Sequence, residues 1–158
     1  VLFRSDLKAV EGQMQDIIQK DSTLKRLFTI TTSVGGVGPV TAIAIIITTN
    51  EFKNINQAQK YACYAGVAPF EHSSGTSVRG KTRISHKANK TVKTLLHMAA
   101  LTAIRYNTDM KNYYDRKVNE GKNKMLVINA VRNKLVHRIF ACVNQNRPYE
   151  KNYHYTLV

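Results

Sequence analysis

The last third of the chain constrains the fold most. Between about Lys124 and Asn144, the apolar residues Leu126, Val127, Ala130, Val131, Leu135, Ile139 and Phe140 recur in helical three- and four-residue steps. A run this long with that period is a buried-face helix, since strands seldom reach half its length. Arg132, Lys134 and Arg138 are expected on its remaining surface. The same period marks most of the chain. Leu7, Val10, Met14, Ile17, Leu24 and Phe28 read as one face of a first helix, with a stripe so narrow that it fits a coiled-coil tail or a long bundle helix. A helix is expected from Pro39 to about Thr49. Another should run over 55–64, capped by Asn54 and ended by Gly66 and Pro69. Asn89 should cap a helix reaching about Arg105, with Val92, Leu95, Leu96, Ala99 and Ala103 on its apolar face. A helix over 109–119 should stop at Gly121, and Pro148 should open a loose aromatic tail. No strand pair with hairpin turn chemistry is visible, so the expected class is all-α. The expected division is an end-of-helix segment over 1–32, a main domain over 33–148 and a tail over 149–158.

Charge narrows the function classes. The chain carries 24 Lys+Arg against 10 Asp+Glu, a net charge of +14. Residues 1–72 are nearly neutral, with seven basic and six acidic side chains, whereas 79–138 hold fifteen basic and three acidic. Twelve of the fourteen net charges therefore fall in one segment, which favours a polyanionic partner through counterion release. No apolar run approaches the ~20 residues that span a membrane. Two cysteines, Cys63 and Cys142, offer neither metal spacing nor a disulfide framework; each falls on an apolar helical face, which suits packed thiols in a reducing compartment.

The densest chemistry lies at Ser73-Ser74-Gly75-Thr76-Ser77-Val78-Arg79-Gly80-Lys81-Thr82-Arg83, where hydroxyls, two glycines and three cations stand without an acid. Glycine lets backbone N–H groups approach an anion, and guanidinium forks match phosphate oxygens. This is a phosphate-gripping loop or the seat of a serine nucleophile. Ser85, Lys87, Asn89, Lys90 and Lys93 continue the phosphate-binding candidates downstream. Upstream, Val34-Gly35-Gly36-Val37-Gly38-Pro39 reads as a helix-hairpin-helix-like turn. Backbone amides near Gly36 and Gly38 would touch a phosphate there, or the turn simply joins two helices. His72 and His86 flank the basic loop and suit either solvation or phosphate contact. His97 and His137 are expected at the core edge. Tyr106, Tyr113 and Tyr114 suit base stacking or an aromatic layer over the core.

Taken in order, these segments resemble a known family. Gly36-Val37-Gly38-Pro39-Val40-Thr41, Phe52, and Tyr61-Ala62 through Tyr64-Ala65-Gly66-Val67-Ala68-Pro69 look like the carboxy-terminal domain of DEDD-type insertion-sequence transposases, the bridge-RNA-guided serine recombinases. Ser74-Gly75, Ser77, Arg79-Gly80, Arg83-Ile84-Ser85 and Asn89 extend the match, which covers about Leu24 to Pro148. Gly35, His86 and Ala88 depart from that pattern, where proline, lysine and glycine are usual.

The resemblance implies a serine, here Ser74, that attacks a DNA phosphodiester and becomes joined to the cleaved strand. It further implies an amino-terminal ribonuclease-H-like domain that carries four acids and binds Mg2+, a guide RNA, a homo-oligomer and a cytoplasmic, nucleoid-associated setting. Ser73 and Ser77 are the rivals of Ser74, and Arg79, Lys81 and Arg83 would balance phosphoryl charge. A preceding domain is expected outside this chain. The first five residues are expected to be non-native, because Leu2-Phe3-Arg4-Ser5 also reads as a translated sequencing-adapter end.

Overall fold

A computed structural model describes residues 2–68, 70–74, 78–83 and 88–151, with side chains described for 4–68 and 88–151. Among the described residues it contains seven helices: α1 (Leu2–Lys20), α2 (Ser22–Ser33), α3 (Pro39–Thr48), α4 (Ala58–Tyr64), α5 (Lys90–Tyr106), α6 (Thr108–Asn119) and α7 (Lys124–Asn144). The packed body is all-helical, as expected. One addition was not anticipated: β1 (Phe70–Ser74) and β2 (Val78–Arg83) form a two-stranded antiparallel ribbon where a loop was expected.

Local chemistry explains most boundaries. The Asn89 carboxamide oxygen accepts the Val92 N–H and caps α5, as expected, and Gly66 and Gly121 take positive φ after α4 and α6. The single first helix is corrected to two. Asp21 is extended (φ −102°, ψ 118°), and its carboxylate accepts the N–H groups of Thr23 and Leu24 to start α2. The heptad-like stripe runs on through this turn, so periodicity alone does not reveal it. Asn54 is not the cap of α4. It accepts a bond from the Asn50 carboxamide, and α4 starts later, after Gln57. The chain between α3 and α4 makes a tight left-handed turn through Asn50, Glu51 and Phe52 (φ 50°, 57° and 63°). That turn delivers Phe52 into the core, edge-on to Phe140 with ring centroids 5.0 Å apart.

α5 and α7 are the central pair: α5 packs on α3, α6 and α7, and α7 also packs on α2, α4 and α6. Ala99, Ala100 and Ala103 make the buried side of α5 slim enough for close approach, while Val131, Leu135 and Ile139 fill from α7. Each such buried aliphatic side chain contributes roughly 1.5–3 kcal/mol relative to exposure. The Gly35–Gly36 turn after α2 nests on the α5–α6 corner. A Cβ on Gly35 would meet the Asn107 carboxamide at 2.9 Å, and one on Gly36 would meet the Ala99 carbonyl oxygen at 2.6 Å.

Three further expectations are corrected. Leu126 is 63% exposed while Val127, the next residue of the same first turn, is 2% exposed, so Leu126 lies on the outward side of α7. His137 is exposed, whereas His97 is half-buried. The tail is docked at its start: the Tyr149 N–H donates to the Ser33 hydroxyl, and Arg138 lies over the Tyr149 ring.

Candidate nucleic-acid interface

The ribbon grows from a clamped base. The Asn89 N–H donates to the Tyr64 carbonyl at 2.8 Å, and the Asn89 carboxamide donates to the Tyr64 hydroxyl, also at 2.8 Å. The end of α4 and the start of α5 are thus tied together, and the segment 65–88 must leave and return at one place. Asn129 of α7 adds a third tie, donating to the Val67 carbonyl at 2.9 Å.

Within the ribbon, His72 pairs with Gly80, Ser73 with Arg79 and Ser74 with Val78, and the register shifts between Phe70 and His72. Ser74 is the last residue of β1, and a three-residue connection carries the chain to β2. Arg79, Lys81 and Arg83 occupy alternate positions of β2. The backbone register therefore brings Ser73, Ser74, Arg79 and Gly80 together at the distal half of one ribbon. Gly75, Ser77, Ser85, His86 and Lys87 lie outside the described residues.

Downstream of the clamp, Lys90 is exposed on the first turn of α5 and Lys93 half-buried on the second. That helix start carries no acid in its first turn, so its free N–H groups and the two lysines favour an anion together. The two turn glycines separate. Gly36 is held against α5 by its contacts with Ala99 and Ala103, a packing reason for glycine. Gly38 is exposed before the N-terminus of α3, with nothing within 4 Å of a would-be Cβ.

Tyr113 and Tyr114 are half-buried against the core, as the aromatic-layer alternative required. Lys134 stands 4.5 Å and Arg116 5.8 Å from the Tyr113 ring centroid, so cations already use that ring. Tyr106 is exposed, with Arg105 over its ring at 5.3 Å.

The expectation that Arg132 lies on the surface is corrected: it is 6% exposed, the one charged residue among the buried polar groups described. Its guanidinium donates through Nη2 to His97 Nδ1 at 2.5 Å and through Nη1 to Asn129 Oδ1 at 3.4 Å, while Nε and Asn133 Oδ1 have no partner. Arginine has no acceptor, so His97 must present an unprotonated Nδ1 and is the neutral Nε2–H tautomer. Burial first, then the neighbouring Arg132 charge, lowers the His97 pKa. The signal for Arg132 was present in the sequence. It lies four residues after Ile128 and three, four and seven before Leu135, Val136 and Ile139, on the apolar stripe itself.

Among the described residues, no group of three His, Cys, Asp or Glu side chains could hold a metal. Cys142 is buried and its thiol pKa is raised by that burial, and Cys63 is half-buried, as packed thiols would be. No described helix is long and apolar enough to cross a membrane. An apolar groove of about 580 Å³ lies between α1 and α3, lined by Met14, Val40, Ile43 and Ile47 among others, and takes no residue from the ribbon or from α5–α7.

The fold and interface together define a strongly basic helical domain that projects a cation-bearing ribbon from a clamped base. The chain belongs to the transposase IS116/IS110/IS902 family, whose model matches residues 29–115. It is 27% identical over 154 residues to the pilin gene-inverting protein of Moraxella bovis, covering 96% of this chain and 48% of that protein. It is 27% identical over 143 residues to the insertion element IS110 uncharacterized 43.6 kDa protein of Streptomyces coelicolor, covering 90% of this chain and 34% of that one. A probable family 20 transposase of Pseudomonas aeruginosa is 24% identical over 143 residues, with coverages of 89% and 41%. The chain thus spans about half or less of the length of these curated relatives.

Proposed function

We propose that this chain is the serine-bearing part of a DNA transposase, and that Ser74 is its nucleophile. The observation that carries the reading is the register. Ser74 closes β1 beside the connection, opposite Val78, while Arg79 is next on the returning strand. In the proposed step the Ser74 oxygen bonds to a DNA phosphorus as the bond from that phosphorus to one deoxyribose oxygen breaks. The hydroxyl proton is lost from serine and one proton is gained by the departing sugar oxygen. One phosphodiester replaces another, so the step conserves bond energy and reverses to rejoin strands. Arg79, Lys81 and Arg83 would offset charge growing on the phosphoryl oxygens. Ser73, Gly75, Ser77, Gly80, Ser85, Lys87, Asn89, Lys90 and Lys93 would grip the flanking backbone.

Serine is a weak nucleophile until something removes its proton. The described residues supply no donor set for magnesium, so no step here is routed through it; the reading assigns Mg2+ to an amino-terminal ribonuclease-H-like domain with four acids. A guide RNA and assembly into a homo-oligomer complete the proposal, supported by the family resemblance and by the excess of cations over 79–138.

The test is covalent trapping on the full-length protein with a nicked suicide DNA and the guide RNA. A protein–DNA adduct that Ser74→Ala abolishes is expected. An adduct that survives Ser74→Ala and vanishes in Ser73→Ala moves the nucleophile by one residue. No adduct, with salt-dependent binding retained, leaves a non-catalytic helical nucleic-acid binder.

A further inference from the structure

The Arg132 guanidinium is the anomaly of this fold. A buried cation that lacks a carboxylate is costly, because its lost hydration is repaid only by good partners. The acids whose side chains are described are exposed or half-exposed, and the ion pairs they form go to Lys53, Arg116 and Lys117. Arg132 instead bonds sideways into α5 through His97 and along α7 to Asn129. Asn129 in turn spends its amide on the Val67 carbonyl, which is the last backbone acceptor but one before the segment leading into the ribbon.

The orientation of Asn129 is fixed from both ends. The Val67 carbonyl can only accept and takes the carboxamide nitrogen at 2.9 Å, while Arg132 can only donate and takes its oxygen at 3.4 Å. Arg132 thereby holds the side chain whose other end ties Val67. His97, held neutral as an acceptor, takes the Nη2 arm of the guanidinium from the α5 side, while Nε is left without a partner.

We propose that Arg132 is a positioning residue for the proposed strand-transfer reaction: through Asn129 and Val67 it sets where the ribbon bearing Ser74 leaves the helical body. The claim rests on the reading of Ser74 given above, yet its primary test does not. Arg132 touches no reacting atom in this arrangement. Its effect is to hold the ribbon base at one place, and positioning errors near an ångström are enough to slow an in-line displacement strongly.

The experiment is amide hydrogen exchange on the chain, read separately for the ribbon (70–83) and for α5 and α7. Arg132→Met keeps the aliphatic stem and removes the fork. Ribbon amides should exchange about tenfold faster while α5 and α7 amides stay within about threefold of wild type. Asn129→Asp guards against a simple folding failure: the added carboxylate pairs with Arg132 and supports the helices, but it cannot donate to Val67. It should release the ribbon as Arg132→Met does. His97→Asn, whose Oδ1 stands where Nδ1 does and can still accept from Arg132, should leave ribbon exchange at the wild-type level.

In the full-length protein, Arg132→Met should slow adduct formation at saturating DNA by about tenfold or more with DNA affinity unchanged. Equal loosening of ribbon and helices would make Arg132 an ordinary core residue and overturn the proposal, as would an unchanged ribbon in Asn129→Asp. A ribbon that loosens as expected in a protein that forms no adduct would sink the nucleophile reading alone.

Discussion

Gly36 lies directly beneath the backbone of Ala99: a Cβ placed on it would stand 2.6 Å from the Ala99 carbonyl oxygen and 2.7 Å from the Ala103 Cβ. The glycine also holds φ +99°, a conformation that L side chains rarely adopt. Backbone atoms of a central helix cannot give way cheaply. Gly36→Ala should therefore cost about 2–4 kcal/mol, combining overpacking with backbone strain. Gly38→Ala, with open space around it, should cost under about 1 kcal/mol. Denaturant midpoints of the two variants check this; equal losses would refute the packing argument.

Asn89 joins two jobs, capping α5 and clamping α4 through Tyr64. Asn89→Ala should destabilise the protein by about 2 kcal/mol, the sum of a lost cap and a lost bond. Asn54→Ala, which loses only an exposed bond to Asn50, should stay within about 0.5 kcal/mol. Urea unfolding separates the two, and a reversed order would restore Asn54 as the cap.

The Tyr61 hydroxyl is buried against the Thr48 hydroxyl at 2.8 Å, and burial pushes its pKa up to about 12, against the lowering effect of that bond. The folded state therefore favours the protonated phenol. Its contribution to stability is complete below the ordinary value of 10.0 and is lost as pH rises through about 12. Alkaline titration by tyrosinate absorbance should show one late phenol that Tyr61→Phe removes.

His97 acts in the opposite direction. Its pKa is lowered in the folded state, so below the ordinary value of 6.5 the unfolded chain binds more protons than the folded one. Stability should fall as pH drops from about 7 to 5, the stabilisation being complete above 6.5. His97→Gln, which cannot protonate, should flatten that slope in melts across the range. An unchanged slope would mean that protonation of His97 does not set it.

DNA binding should weaken steeply with salt, and the loss should be traceable to residues. Replacing Lys90 and Lys93 together by Gln should reduce the slope of log affinity against log salt by up to about two, if each neutralises one phosphate. Replacing Lys117, which pairs with Glu120 at 2.6 Å, should change it little. Fluorescence anisotropy titrations at several salt concentrations read both.

Much of the helical frame that carries the candidate interface was legible in the sequence. The Asn89 cap, the Gly66 and Gly121 stops and the full extent of α7 follow from backbone chemistry that acts within one turn. The ribbon was not legible, because Val78-Arg79-Gly80-Lys81-Thr82-Arg83 has no apolar alternation and its connection lacks an Asn-Gly or Asp-Gly signal. Arg132 was misjudged by residue type, although its spacing placed it on the buried stripe. The turn at Asp21 was hidden because an apolar stripe can continue across a change of direction.

The amino-acid sequence by itself determined the helical content, the segregation of positive charge into 79–138 and the serine- and cation-rich stretch that the ribbon presents. These depend on neighbours a few positions apart, where propensity and capping act. Tertiary structure alone decided that Val67, Asn129, Arg132 and His97 meet, that Tyr64 clamps Asn89, and that Gly36 is wedged under Ala99. Apart from the Arg132–Asn129 bond along α7, those contacts join residues 25 to 63 positions apart in the chain, and the packing of α7 on α4 and α5 and of α5 on α3 brings them within bonding distance.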